Sequence, residues 1–323
     1  MSKMKTVGKV ALTALFLYFI FLKVEIGEIR GAILSIKPIY FVLLIVISFL
    51  MITISCVKWR LFLFDRGIHV SLSRLIRYYL IGYFFNNILP STIGGDLFRS
   101  YFLGRQIKSQ STSFGSVFME RLTGLIALLI LSVVSLTLNP TLVRIPSILF
   151  SVLLMGAVLA LIIFLFIIDD SRRIHSFLVK RIPYMDSVSE KIERAMTSVS
   201  CFKTNTRLLA YAMFYSFIFQ IMAIINSLIC CWALGAHPAV LNLAVIVPII
   251  MLVSTLPITL GGLGLWEGSF AFFFSLVGLS PILAISVALI LRFKNILMGI
   301  IGGVVFLFTR KKQNINIQVG PND

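Results

Sequence analysis

Uncharged apolar runs of membrane-spanning length recur along this chain, and few folds can hold them. Pro38 to Val57 is one, bracketed by Lys37 and Lys58; Ile145 to Ile168 and Leu208 to Ala236 are two more. Phe114 to Leu138 carries only Glu120 and Arg121, near its start, and Leu279 to Thr309 carries only Arg292 and Lys294. A helix needs about 20 apolar residues to cross a bilayer. Within lipid it can satisfy every backbone polar group from inside its own segment. Composition excludes the soluble alternative: 13% of the 323 residues are charged and 59% are hydrophobic, against roughly 25% charged in a soluble domain.

A further apolar stretch, Val10 to Leu22, follows Lys3 and Lys5 and imitates a signal peptide. It is followed by Lys23, Val24 and Glu25 rather than a small-x-small cleavage site, so it is read as a retained first span. That makes about six crossings in an all-α, polytopic helix bundle. The formal net charge of +17 is spread over short segments between the apolar runs. Such loops report orientation and contact with anionic lipid, and nucleic acid is not an expected partner.

Two apolar stretches do not read as simple spans. Tyr78 to Gly95 is broken by Asn86, Asn87, Pro90 and the Gly94-Gly95 pair, and Ala239 to Gly278 by Pro257, Gly261, Gly262 and Gly264. Lys58, Arg60, Arg66, Arg74 and Arg77 precede the first, and Arg99, Arg105 and Lys108 follow it. Basic flanks on both sides place both ends in the cytoplasm, so the stretch is expected to dip into the membrane and return. Asp169 to Arg207 and the tail Arg310-Lys311-Lys312 are also basic. Both termini are therefore expected on the cytoplasmic face of the inner (cytoplasmic) membrane, with the second broken stretch entering from outside. Met185, Val188, Ile192, Ala195, Val199 and Phe202 recur at helical spacing, which predicts an amphipathic helix on the membrane surface. The chain is read as a single membrane domain, with a first half at about 38–168, the amphipathic segment at 169–207 and a second half at about 208–309.

The two broken stretches share a motif. Leu89-Pro90-Ser91-Thr92-Ile93-Gly94-Gly95 recurs as Leu256-Pro257-Ile258-Thr259-Leu260-Gly261-Gly262, identical at Leu, Pro, Thr and both Gly. Three crossings lie between the copies, so they are expected to enter from opposite faces, as in the inverted repeats of secondary transporters. The alternative is two unrelated packing motifs whose glycines let helices approach closely. Proline ends one half-helix and the Gly pair permits a turn. A second half-helix is then expected to start near Asp96, and near Gly262 in the other copy. Its unpaired N–H groups and positive dipole end suit an anion.

Charges inside the membrane are few. From Ala239 to Thr309 they are Glu267, Arg292 and Lys294. Arg292 lies eleven residues past Pro281, the expected helix start, which at about 1.5 Å per residue is near mid-bilayer. A lone charge there costs at least about 3 kcal/mol, so it faces a partner or a wet cavity; Glu267 is the natural partner. Asp96, Arg99, Glu120 and Arg121 occupy comparable places in the first half. Static buried pairs that set helix register are the competing account.

At these residues the chain resembles a known family. NNILPSTIGGDLFR, FMERLTGL and LPITLGGLGLWEGSF followed by LRFKN are similar to the lysylphosphatidylglycerol synthase/flippase membrane-domain family, over about Pro38 to Phe308. The resemblance implies a flippase-like domain with re-entrant helices that moves an aminoacylated phospholipid, or a polyprenyl-phosphate-linked or other envelope lipid, between leaflets. Synthase members add a large soluble C-terminal domain, whereas this chain ends about a dozen residues after its last span, so aminoacyl transfer is not implied. By match, Asp96, Arg99, Glu120, Arg121, Glu267, Arg292 and Lys294 would contact or relay the headgroup. Asn87, Pro90, Thr92, Gly94, Gly95, Pro257, Thr259, Gly261 and Gly262 would shape the cavity.

The expected function is thus translocation of an anionic or aminoacylated lipid, with a membrane lipid as partner. A second copy of the chain or an enzyme of envelope-lipid synthesis is a further expected partner. A small-solute or ion transporter is the alternative. A lipid-modifying enzyme is not expected, because His69, His175 and His237 are unclustered and no metal or paired acidic motif stands out. No cofactor or metal is expected. Cys56, Cys201, Cys230 and Cys231 lack metal spacing and are read as structural.

Overall fold

The computed structural model describes residues 36–89, 94–167, 205–255 and 259–318, with Gly27 and Gly31. The first expected span, the amphipathic segment and residues Pro90, Thr92 and Pro257 lie outside the described residues. Among the described residues from 36 onward, ten α-helices run in chain order: α1 (Pro38–Phe64), α2 (Leu72–Ile88), α3 (Gly94–Gln106), α4 (Gln110–Thr137), α5 (Pro140–Val143), α6 (Pro146–Ile167), α7 (Thr206–Ala233), α8 (Val240–Thr255), α9 (Leu265–Leu276) and α10 (Pro281–Gln318). A 3₁₀ turn, Leu260–Gly262, lies between α8 and α9. Among the described residues the fold is all-helical. Helices α1, α4, α7 and α10 are long and apolar enough to cross a membrane.

Local chemistry sets the boundaries. Proline opens α1, α5, α6 and α10, where its missing N–H is one that the helix start leaves unpaired anyway. Asn205 caps α7 by accepting from Leu208 N–H at 3.1 Å. Helix α2 ends at Ile88, and Leu89 is extended at φ −80° and ψ 144°, as the residue before a proline prefers.

Both broken stretches form helix–break–helix hairpins. In the first, α2 and α3 pack antiparallel. Phe85 stacks on Phe98 at 3.6 Å between ring centroids, while Tyr78 Oη donates to Gln106 Oε1 at 2.8 Å farther from the break. The limbs have 17 and 13 residues, about 25 and 20 Å, short of the ~30 Å hydrocarbon core. In the second, α8 has 16 residues and α9 has 12. The expected start of the second limb near Gly262 needs correction. Gly261, Gly262 and Gly264 all take positive φ, which a right-handed helix cannot include, so α9 starts at Leu265.

A second correction concerns α1. Lys58 does not flank the span: the helix continues to Phe64, and Lys58 is 3% exposed inside the bundle. The main core joins α4, α6, α7, α8, α9 and α10. A second cluster joins α1 and α2 to Leu103, Val117 and Met298.

Candidate functional site

Helix α10 is the axis on which the two hairpins meet. The second hairpin lies along its N-terminal part. Trp266 Nε1 donates to Ala288 O at 3.0 Å, and Arg292 reaches the break, donating through Nη2 to Gly262 O at 3.1 Å. The first hairpin lies along the C-terminal part. Asn87 Nδ2 donates to Asn295 O at 3.2 Å and Ile296 O at 3.4 Å. Beyond it, a Cβ on Gly302 would overlap the Leu80 carbonyl and one on Gly299 would overlap the Asn87 amide. These glycines let α10 and α2 approach to backbone contact. The broken ends of the two hairpins therefore reach α10 between Arg292 and Asn295, and the 3₁₀ turn of the second lies against α2.

Each hairpin presents a carboxylate in the first turn of its second limb, where the helix dipole favours negative charge. Asp96 of α3 accepts from Arg121 of α4, through Nε at 2.7 Å and Nη2 at 3.0 Å. Glu267 of α9 accepts from Arg292 Nε of α10 at 2.5 Å, the pairing expected from sequence. In both pairs the partners are 25 residues apart, and each arginine lies at the same distance from its helix start, Gln110 or Pro281.

The half-helix starts are not bare anion sites. Gly95 N–H donates to Asn86 Oδ1 at 2.7 Å, and Gly264 N–H donates to Glu267 Oε2 at 2.9 Å. Side chains of the protein thus occupy part of the donor set that an incoming anion would use. Thr259 is buried in the second break, and its hydroxyl has no hydrogen-bond partner among the described residues.

The first-half charges form a chain that runs from the buried interior to an accessible end. Lys58 Nζ lies 3.4 Å from Glu120 Oε1 and donates to Ser216 Oγ of α7 at 3.0 Å. Arg99 bridges Glu120, at 2.6 Å, and Asp96, at 2.9 Å. Its guanidinium carbon lies 4.3 Å from the Tyr79 ring centroid and 5.0 Å from that of Trp59, a cation–π sandwich that replaces lost hydration. Side-chain exposure rises from 2% at Arg99 and 5% at Glu120 to 15% at Asp96 and 49% at Arg121. Of the seven charges singled out in the sequence, six fall into these two networks. Lys294 does not. Two positions after Arg292 on one helix, its side chain turns through about 200° and is 5% exposed.

Sequence reasoning missed Lys58, Asn86, Tyr79 and Trp59. The available signal for Lys58 was the lack of any breaker between it and Gly67, which lets the helix continue through the charge.

Comparison with known proteins places this architecture. The family model described as lysylphosphatidylglycerol synthase TM region matches residues 6–303. The chain belongs to that family. A UPF0104 membrane protein of Methanothermobacter thermautotrophicus is 27% identical over 296 residues, covering 85% of each chain. Another, from Methanocaldococcus jannaschii, is 23% identical over 329 residues, covering 97% of this chain and 98% of the relative. A second M. thermautotrophicus UPF0104 protein is 24% identical over 306 residues, covering 87% of each. No solved structure matches the chain. Family membership agrees with an integral membrane protein of flippase-like type, and the relatives' names assign no substrate.

Proposed function

We propose that the chain carries the headgroup of an anionic lipid across the cytoplasmic membrane, on a site shared by two re-entrant hairpins arranged as an inverted repeat. The observation that carries this reading is the pair of matched carboxylate–arginine contacts, Asp96–Arg121 and Glu267–Arg292, at hairpin ends that approach α10 from opposite directions. Irregular backbone at membrane depth is tolerated where it lines a cavity or is buried in protein, and broken helices of opposite entry are how secondary transporters build midplane sites.

In this reading Asp96 and Glu267 are internal stand-ins for the substrate anion. A phosphate arriving at Arg121 or Arg292 exchanges with the carboxylate already there, so the arginine is never left bare in a medium of low dielectric. Arginine suits the exchange because its planar fork binds carboxylate and phosphate alike. Arg99, Glu120 and Lys58 are positioning residues: they hold Asp96 and Arg121 without reaching the accessible face. The glycines of the second break allow Arg292 to grip the Gly262 carbonyl, so that displacement of Glu267 leaves the break attached to α10. The bilayer-exposed alkyl chains would travel along the apolar outer face, where Leu97 and Tyr101 of α3 are about half exposed. This describes a carrier and not an enzyme. Both termini are assigned to the cytoplasmic side on the charge of the flanking segments.

The test is reconstitution into vesicles with leaflet-resolved assay of headgroup-labelled anionic phospholipid and polyprenyl phosphate. Wild-type protein is expected to speed transfer of at least one class, with Arg292→Ala and Gly262→Leu losing the effect. Transfer that survives both substitutions refutes the site. Uptake of a soluble anion with no lipid transfer would select the small-solute carrier instead.

A further inference from the structure

Among the described residues, one face of α3 is left uncovered. Leu97, Tyr101 and Arg105 recur at every fourth position and are all exposed, within about 80° around the helix. The stripe is apolar toward the break, where Leu97 and Tyr101 are about half exposed, and basic toward the end of the helix. Side chains on a helix lean toward its N-terminus, which in α3 is the break. Arg105 leans this way: its guanidinium carbon lies 5.9 Å from the Tyr101 ring centroid. The stripe therefore leads from Arg105 toward Asp96, about 14 Å along the axis, where Arg121 of the headgroup site is 49% exposed.

Lys108, just past the end of α3, extends the basic end. At φ 54° it is the one non-glycine residue with positive φ among the described residues. Ile107 N–H donates to Leu103 O at 2.9 Å and Ser109 N–H to Gly104 O at 3.1 Å, a helix end whose left-handed position ordinarily belongs to glycine. Lysine is strained there, and its exposed side chain adds a cation beside Arg105. The helix dipole accounts for one positive charge at this end. It does not account for Arg74 and Arg77, exposed at the start of α2, which the Tyr78–Gln106 hydrogen bond brings against the end of α3. No carboxylate answers these four cations. Among the described residues the carboxylates are Asp65, Asp96, Glu120 and Glu267; the last three belong to the two networks, and Asp65 accepts from Asn205 Nδ2 at 2.7 Å. Unmatched positive charge continuous with exposed apolar side chains fits a molecule that is anionic at one end and apolar along its length. A soluble acidic partner would match the cations and leave Leu97 and Tyr101 uncovered.

We propose that this face is a docking surface for one anionic phospholipid of the adjoining leaflet, with its headgroup at Arg105, Lys108 and Arg74 and a chain along Tyr101 and Leu97. Docking is the capture step that precedes exchange at the Asp96–Arg121 pair. Exposure sets the order, because Arg121 is 49% exposed and Arg292 21%, so a lipid held on α3 meets the first pair before the second. The inference rests on the carrier reading for what docking leads to, and its binding test requires no lipid to move.

The test uses the full chain, delipidated in detergent and titrated with phosphatidylglycerol or phosphatidylcholine of the same acyl chains, with bound lipid read by native mass spectrometry. The wild type is expected to bind phosphatidylglycerol more tightly, and Arg105→Gln/Lys108→Gly to lose roughly fivefold of that preference for each charge removed. The double variant is expected to keep the wild-type melting temperature, because glycine fits the left-handed position better than lysine does, so weaker binding is not a loss of fold. Arg144→Gln removes an exposed cation after α5, away from this face, and is expected to keep the preference. An unchanged preference in the double variant, or an equal loss in Arg144→Gln, overturns the proposal. Displacement of the lipid by an equal concentration of glycerol phosphate also overturns it, since the face would then take a soluble anion. If the preference depends on Arg105 and Lys108 but no labelled lipid crosses in vesicles, the carrier reading fails and the docking surface stands. If lipid crosses and the double variant binds phosphatidylglycerol as the wild type does, the docking surface fails and the carrier reading stands.

Discussion

Arg292→Ala removes one partner of a pair in which Glu267 has 5% of its side chain exposed and Arg292 has 21%. The carboxylate keeps the Gly264 N–H but loses its counter-ion, and the Gly262 carbonyl loses its donor. Breaking a buried pair from one side costs about 3–5 kcal/mol. The open fifth of Arg292 argues for the lower end, about 3 kcal/mol. At roughly 1.5 °C per kcal/mol for a chain of this size, the melting temperature should fall by about 4–5 °C. Cys56, Cys230 and Cys231 are buried and free, so a thiol-reactive dye reads unfolding without added labels. The informative partner is the double variant Glu267→Gln/Arg292→Met. It removes both charges, and the Gln side-chain oxygen can still accept from Gly264 N–H. Stability is expected to return to within about 1–2 kcal/mol of wild type, while lipid transfer stays lost. Transfer at the wild-type rate in the double variant would refute the reasoning, since the pair would then be a strut and nothing more. An unchanged melting temperature in Arg292→Ala would refute the assigned electrostatics.

Other outcomes follow from the same contacts. Lys58→Met is expected to destabilise by about 3 kcal/mol by leaving Glu120 short of a cation, and Lys58→Met/Glu120→Gln to recover part of that loss, as measured by the same thermal assay. Gly302→Val should lower the melting temperature strongly, because its Cβ meets the Leu80 backbone, whereas Gly156→Ala, whose nearest neighbour is a Leu129 methyl at 3.9 Å, should change stability by less than about 1 kcal/mol. Asn86→Ala removes the cap on Gly95 N–H and should cost about 1 kcal/mol, with faster hydrogen exchange at the start of α3.

What the sequence determined by itself is a matter of solvent and period. Long uncharged runs have no stable option but a helix in lipid, so the all-helical membrane class followed from composition alone, and the runs from Ile145 and Leu208 lie close to α6 and α7. The repeated Leu-Pro-x-Thr-x-Gly-Gly segment located both hairpin breaks, because proline and paired glycines act on their own backbone. The Glu267–Arg292 pair was legible too, since few ionisable groups exist in that half. Tertiary structure alone decided what depends on neighbours distant in the chain. Lys58 reads as a span boundary until Glu120 and Ser216, from two other helices, are seen around it. Arg292 and Lys294 stand two residues apart in the sequence, and only the turn of α10 between them separates an arginine paired with Glu267 from a lysine buried on another face of the helix. The half-helix starts read as open donors, but Asn86 and Glu267 cap them through contacts that depend on how each break folds. Charge type and local breaks are properties of the chain; counter-ions and access to water are properties of the packing.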